Sequence, residues 1–441
     1  MSFLNVRGIK LPDKKKETRN VPLIEIRPQV RYDVALVVGK HNECEPIVKV
    51  GDSVAEAAVI AKPVDRLSPF IFSPVSGIVR DIVVKNNSLG FPCKHIVIEA
   101  DKENRKVMLE NIEDLTKENV FKRIVESGMV DNFGKKLPSF VKYINANGKA
   151  IKKIVINATE IDPYLTCGEM IAKNYRNDIF EGAKLLALVA GTTNIEFVVT
   201  YKQVELCEIL KKEISARKKN NNAYKFKIRK IEPIYPFKHD RLITYYMTGK
   251  KLLAGSPPSD AGLIIESFQN CYDISKAVYE NMPVISRIIT VAGNNIIRKA
   301  NYIVRNGTSF RHILEVVGTI NPGEAFKIIE GSVMTGIAQD NIDISVGLST
   351  KSIIFLSRDE FLRENEKACV NCGQCVKHCP VRINPKEIDK ACIEGDKIKA
   401  LKCGALACID CGVCSYVCPS KRYLAQRIDS MQNEIRKGGK E

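Results

Sequence analysis

The chain predicts a multidomain protein of α/β plus β class. Three observations carry the prediction. Short β-rich runs separated by turn residues fill residues 30–100, helix and strand patterns alternate from about residue 115, and one cysteine run occurs twice between Cys369 and Pro419. At 441 residues the length suggests about three domains. A composition that is 45% hydrophobic and 27% charged is able to bury a sizeable core.

Residues 1–28 are polar and punctuated by proline, and read as an extended strap. The unit expected over 29–105 has β-rich runs at Val34–Val38, Ile47–Val50, Phe70–Phe72, Gly77–Val84 and His95–Ile98. Turn signals such as Val50-Gly51-Asp52 separate them. The stretches from Glu45 to Val54 and from Ser73 to Ile82 resemble the barrel-sandwich hybrid of biotinyl and lipoyl carriers. No acceptor lysine stands at a hairpin tip, so the expected role is a scaffold.

Over 106–275 the periods lengthen. Helices are expected at Asp114–Glu126, Ile179–Val189 and Val204–Arg217, and buried strands at Lys153–Asn157, Phe197–Tyr201 and Tyr224–Ile231. Strand and helix alternating at this spacing argue for a parallel sheet with a nucleotide-type crevice at its carboxyl edge. A helical segment is expected around Ile264–Glu280, then a compact α+β unit over 276–356 with β signals at Ile285–Val291 and Asn301–Val304. The cysteine-rich module spans 357–425, and a basic tail follows over 426–441, overlapping a basic amphipathic helix expected at Tyr423–Arg436.

The cysteine runs are Cys369-Val-Asn-Cys372-Gly-Gln-Cys375-Val-Lys-His-Cys379-Pro380 and Cys408-Ile-Asp-Cys411-Gly-Val-Cys414-Ser-Tyr-Val-Cys418-Pro419. Both fit the spacing that holds cubane clusters in bacterial two-cluster ferredoxins, where the fourth cysteine ligates the other cluster. Two [4Fe-4S] clusters are expected, one on Cys369, Cys372, Cys375 and Cys418, the other on Cys408, Cys411, Cys414 and Cys379. A zinc ribbon would use two separated pairs, and disulfides an oxidising compartment. Two adjacent cubanes serve one-electron relay. Cys403 precedes the second run by five residues and reads as a bystander; His378 beside Cys379 is a candidate for tuning by hydrogen bonding.

No apolar run reaches the eighteen or so residues of a membrane helix, and the amino terminus lacks an apolar core of signal-peptide length. The expectation is a cytoplasmic protein without a transmembrane segment, free to dock on a membrane complex. The net charge of +17 is scattered and not interleaved with aromatics, which argues against nucleic acid. It reads as a lysine-rich solvated surface, with steering of acidic ferredoxin or flavodoxin carriers as the functional alternative.

The order of parts resembles the RnfC-like family: the RnfC component of the Rnf complex and its soluble relatives, cobalamin reductase (PduS) and the proline-reductase-associated electron-transfer protein (PrdC). The matching residues include Gly8-Ile-Lys-Leu-Pro12, Glu45–Asp52, Ile156–Tyr164, Tyr235-Pro236, Thr248–Lys250, Ser259–Gly262, Val291–Gly293, Gly331–Gly336 and both cysteine runs. The resemblance implies a Rossmann-like domain akin to the flavin-bearing subunit of complex I, then a β-grasp (SLBB) domain, then the ferredoxin module. It also implies an oligomer or a member of a larger complex, with FMN and NADH at a glycine-rich loop. The size and missing long tail look more like the soluble relatives.

The loop departs from the family. Its G-x-G-G-x-G-F-P-T reads Asp131-Asn-Phe133-Gly134-Lys135-Lys136-Leu-Pro138-Ser139, which keeps Gly134 alone. Y-P-x-G-G reads Tyr235-Pro-Phe-Lys238-His239, and Q-N-V-G-T reads Glu266-Ser-Phe-Gln-Asn270. Glycines let backbone amides approach phosphate, so these losses weigh against tight FMN binding and NADH oxidation. The residues the resemblance places at the degenerate site are Gly134, Lys135, Lys136, Glu160 and Asp162. Lys135, Lys136, Lys238 and His239 are either a charge-based phosphate cradle or surface residues on a reshaped loop. Glu160 and Asp162 either serve docking or cap the next helix. Cys167, at a helix start, is either a redox thiol or a quiet buried cysteine.

The expected function is an electron relay through two clusters to a partner reductase of the proline-reductase kind. The alternatives are NADH oxidation through a bound flavin, and an adaptor whose clusters only stabilise the fold.

Overall fold

The computed structural model describes residues 7–39, 43–131, 136–219, 223–322, 326–361 and 365–438. The β-rich unit is two small sheets packed face to face. Arg31–Ala35, Pro92–Ala100, Gly77–Asn86 and Ser53–Val54 pair antiparallel in one, and Glu45–Pro46, Val59–Lys62 and Ile71–Phe72 in the other. Inward positions alternate as a half-buried strand requires, so Tyr32 and Val34 enter the core with Ile60, Val79, Ile96 and Ile98. The run Ile47–Val50, expected as a strand, leaves the ladder after Pro46, and Ile47 and Val50 stand exposed.

Four strands form an all-parallel sheet in the order Lys225–Ile231, Asn194–Thr200, Lys153–Asn157, Leu263–Glu266. Both of its faces are covered, which is why these strands read as nearly continuous apolar runs. Ile154, Ile156, Phe197 and Ile264 point into the main core with the helices Arg176–Ala190 and Phe268–Tyr279. Val155, Val198 and Ile265 point the other way, onto Tyr235, Phe237, Ile243 and Val413 of the cysteine-rich module. The two helices cross closely at Gly182, where any Cβ would collide with the Cys271 carbonyl.

Residues 264–266, expected to be helical, are the fourth strand, and the helix starts at Phe268 behind the Ser267 cap. A short apolar run does not reveal its period, and burial on both sides decides for strand.

A six-stranded mixed sheet follows in the order Ile24–Glu25, Ala300–Arg305, Ser286–Ala292, Ser352–Ser357, Phe326–Glu330, Ile337–Gln339. The helix Phe310–Val317 packs on it. The strap supplies the edge strand, makes one helical turn at Lys16–Arg19, and bridges Ile9 to Tyr235. Its Lys15 is only 2% exposed, because the ammonium donates to the Glu160 carbonyl with Asp13 3.9 Å away. The sequence reads there as a solvated lysine run, and the long-range partner draws one lysine inside.

In the cysteine-rich module Ile388, Ala391, Ala400, Ala405, Ile428 and Met431 form a separate small core. The helix Leu424–Gly438 contributes Leu424, Ile428 and Met431 to buried positions, so the segment expected as a basic tail lies largely within a docked helix.

Candidate functional site

Each cysteine run builds its loop from two left-handed residues. Asn371 and Gly373 have φ of 55° and 70°, and Asp410 and Gly412 have φ of 50° and 74°. Asn, Asp and Gly are the residues that adopt this conformation most readily. Gly373 and Gly412 then start the short helices Gln374–His378 and Val413–Tyr416, which carry the third cysteine of each run.

The structure brings the cysteines together in two sets of four. Cys369, Cys372, Cys375 and Cys418 line one hollow open to solvent, with Lys386, Asp389 and Arg422 in its wall. Cys408, Cys411, Cys414 and Cys379 face one another: the Cys379 sulfur bears electrostatically on Cys411 and Cys414, and Cys411 and Cys414 on Cys408. Burial and neighbouring thiols push Cys411 up to about 11 and Cys414 to about 12. These thiols keep their protons at neutral pH unless a metal displaces them. Among the described residues no three His, Cys, Asp or Glu groups gather closely enough for a single ion. Two sets of four thiols, the second buried or half-buried and the first partly open to solvent, suit cubane clusters, and the residues fit that group. Cys403 ends the helix Lys397–Lys402 outside both sets, and His378 Nδ1 lies 3.0 Å from the Gln374 carbonyl oxygen.

The second set is sealed against the rest of the chain. The buried Tyr235 hydroxyl donates to the Cys411 carbonyl at 2.8 Å, and Arg241 donates to the Ala407 carbonyl at 2.9 Å. A Cβ on Gly412 would stand 2.8 Å from the Met334 carbonyl. Around the first set, Arg422 donates to Asp389 at 2.5 Å, and Arg427 holds both Glu366 and Asp389.

At the carboxyl edge of the parallel sheet, Asn157, Glu160, Cys167, Gly168, Ser267, Gln269, Arg287 and Lys351 line a crevice enclosing about 430 Å³ of space outside atoms. A water-sized sphere enters only enough of it for roughly two water molecules. Glu160 caps the helix Cys167–Asn174, accepting from Gly168 N–H at 2.7 Å and Glu169 N–H at 3.3 Å. Asp162 pairs with Lys238 at 2.6 Å and accepts from Ser332. Burial alone would raise Asp162, but the Lys238 charge together with the hydrogen bonds from Lys238 and Ser332 and the Lys351 charge holds the carboxyl below its usual range.

The basic residues weighed as a phosphate cradle are otherwise engaged. Lys136 lies 3.4 Å from the buried Glu330, and Lys238 is taken by Asp162. His239 caps the helix Asp240–Thr248 by accepting from Arg241 N–H at 3.2 Å, and burial lowers it to about 4, so it is neutral. Gly134 and Lys135 lie outside the described residues. Cys167 is buried at the start of its helix. Burial and the adjacent Glu160 carboxylate push its thiol up to about 12, outweighing the helix end that would favour a thiolate.

Beside the stretch that matches the family's phosphate loop, the described residues hold a buried charge cluster whose pairing sequence reasoning missed. The Lys142 ammonium sits 3.0 Å from Asp131 and 3.2 Å from Glu266, and donates to the Ile265 carbonyl at 2.6 Å. Glu266 also accepts from Tyr143 at 3.0 Å and Asn270 at 2.6 Å. Asp240 stands close, raised to about 7 by burial and by the charges of Asp131 and Glu266, which outweigh Lys142. One Asp240 oxygen has no hydrogen-bond partner among the described residues. The sequence signals were Asp131 in the loop, a negative charge where a phosphate would lie, and Glu266 at the end of an apolar run.

A flavin phosphate carries a charge of about −2. Such a phosphate would gain no free charge partner from Lys142, which Asp131 and Glu266 already hold; residues 132–135 of the loop lie outside the described residues.

Residues 4–103 match the family model of the RnfC barrel sandwich hybrid domain, residues 124–276 that of the Nuo51 FMN-binding domain, and residues 361–419 that of a 4Fe-4S dicluster domain. The chain is 30% identical over 386 residues to the C subunit of the proton-translocating ferredoxin:NAD(+) oxidoreductase complex of Clostridium ljungdahlii, covering 86% of this chain and 82% of the relative. It is 28% identical over 414 residues to the C subunit of the ion-translocating oxidoreductase complex of Rhodobacter capsulatus, covering 92% and 78%. Among solved structures, a chain of an NAD+-reducing [NiFe]-hydrogenase in the H2-reduced state superposes with a TM-score of 0.53 at 11% identity, over 73% of this chain and 63% of that one. That likeness is one of fold. Among the described residues no helix is long and apolar enough to cross a membrane.

Proposed function

Because the chain belongs to the RnfC family, with 30% identity to one of its members across most of both chains, we propose that it relays single electrons between a protein carrier and a partner reductase. The observation that carries this is the pair of four-thiol sets, each spaced for a cubane cluster and packed side by side in one module. Clusters on these sets would supply one-electron storage at low potential. We assign Cys369, Cys372, Cys375 and Cys418 to one, and Cys408, Cys411, Cys414 and Cys379 to the other.

The chain's own residues do the rest. Tyr235 and Arg241 fix the loop of the second set against the parallel sheet by donating to its carbonyls. Arg422 and Arg427 neutralise the two carboxylates beside the first set. The parallel-sheet unit is Rossmann-like in this reading, and the mixed sheet an SLBB-type β-grasp. The two serve as a rigid mount, with Glu160 and Asp162 as structural residues. The lost glycines favour a chain that receives its electrons from another protein rather than from NADH, and the partner in this reading is a reductase of the proline-reductase kind.

The test is site-directed. Cys369→Ser and Cys408→Ser should each lose about half of the iron bound by anaerobically prepared protein, since each removes one of two four-iron groups. Full iron content in either variant contradicts the assignment.

A second reading, NADH oxidation through FMN, is favoured by one observation: residues 124–276 match an FMN-binding domain. Flavin content separates the two.

A further inference from the structure

The two cysteine runs are near-copies, so each serves as a control for the other. In the second run the residue after the first cysteine is Ile409, which packs into the apolar junction with Tyr235, Phe237 and Ile243. Its counterpart Val370 is 66% exposed. All six residues from Lys367 to Cys372 are exposed, including two of the cysteines of the first set. One set is therefore covered by the chain's own parallel-sheet unit, and the equivalent face of the other is covered by nothing in the described chain.

The charge around the open face is positive. Lys367, Lys377 and Lys421 are exposed within three residues of its cysteines, and Lys386 lines its cavity. Of the acids nearby, Glu366 and Asp389 are held by Arg422 and Arg427, and Glu387 pairs with Lys386 at 3.2 Å, which leaves Lys377 and Lys421 as the main outward positive charge.

We propose that the rim 367–372, flanked by these lysines, is the docking face for a small acidic electron-carrier protein, and that the Cys408 set is the inner station. The proposal rests on the relay reading above and deepens it by naming the partner's chemistry and its point of entry. Apolar contact at Val370 would exclude water over the exposed ligands and bring the carrier's redox group close. The lysines would steer and orient it, as rim charges do in electrostatically guided association. The step moves one electron: the reduced carrier is oxidised, the group on the outer set is reduced, and no bond or proton changes hands.

The experiment uses the whole protein with its iron in place and, as probe, a reduced bacterial two-cluster ferredoxin of acidic composition. Carbodiimide, which joins lysine to carboxylate only in contact, should give cross-links at Lys377, Lys386 or Lys421. The double variant Lys377→Glu/Lys421→Glu should slow bleaching by the ferredoxin at low salt about tenfold or more. It should also flatten the salt dependence and leave bleaching by methyl viologen radical unchanged. Lys211→Glu/Lys212→Glu, on a distant exposed helix face, should change neither. Cross-links confined to other lysines, equal slowing by both double variants, or a cross-linked second copy of this chain through the same lysines would each overturn the proposal. Failure of methyl viologen to bleach the native protein would sink the relay reading itself, a distinguishable result.

Discussion

Replacing Lys142 by Met removes the one ammonium that balances Asp131 and Glu266 in the buried cluster. At 3.0 and 3.2 Å, each ion pair has a Coulomb energy of roughly 5 kcal/mol at an effective dielectric of 20. Desolvation of the lysine offsets much of this. The expected net loss is about 3–5 kcal/mol, the range for breaking a buried pair by deleting one partner.

The loss should depend on pH, with a sign fixed by the carboxyls. Glu266 is already raised by burial, and Asp240 is raised to about 7. A carboxyl raised in the folded state favours folding while protonated. Its contribution is complete below its unfolded value of 3.8 and is lost as pH climbs through about 7. Without Lys142 both folded values rise further, so the deficit should be smaller at pH 6 than at pH 8. Hydrogen exchange of the strand Leu263–Glu266 at the two pH values reads this locally, which matters because a multidomain chain does not unfold in one step. Unchanged exchange, or an equal deficit at both pH values, would refute the view that this cluster is a structural knot. So would stabilisation of the native protein by millimolar FMN.

Tyr235→Phe removes the donor to the Cys411 carbonyl. It should cost about 1 kcal/mol in thermal stability of the junction and shift the reduction potential of the inner station alone, read by redox titration. Gly412→Ala and Gly373→Ala impose the same strain on φ, but only Gly412 faces a carbonyl at 2.8 Å while Gly373 faces open space. The first should therefore lose iron and the second keep it at a cost of about 1 kcal/mol. With its thiol raised to about 12, Cys167 should resist iodoacetamide at pH 8. After chelation of the iron, the exposed Cys369 and Cys372 should be alkylated first, as peptide mapping would show.

What was legible in the sequence follows from how local the physics is. Ligand spacing in the cysteine runs is set within twelve residues, and the Asn371-Cys-Gly373 and Asp410-Cys-Gly412 turns repeat it in both copies. The strands Lys153–Asn157 and Asn194–Thr200 announced themselves because both of their faces are buried. Leu263–Glu266 did not, because a short apolar run fits either helix or strand. The loss of glycine from the phosphate loop was visible, but its replacement was not. Lys142 finds Glu266 across 124 residues, and Lys15 finds Glu160 across 145. Charge counts placed such lysines on the surface, where burial with a long-range partner puts them inside. Cys167 read as either a redox thiol or a quiet buried cysteine, and the Glu160 carboxylate beside its thiol is visible only in the structure.

The most direct test of the central claim is the cofactor content of anaerobically purified protein, with a visible spectrum taken before and after NADH. A relay fed by another protein predicts about eight irons with matching sulfide, no flavin, no bleaching by NADH, and bleaching by a reduced ferredoxin. Stoichiometric flavin that NADH reduces would contradict it and make this chain the point where NADH enters.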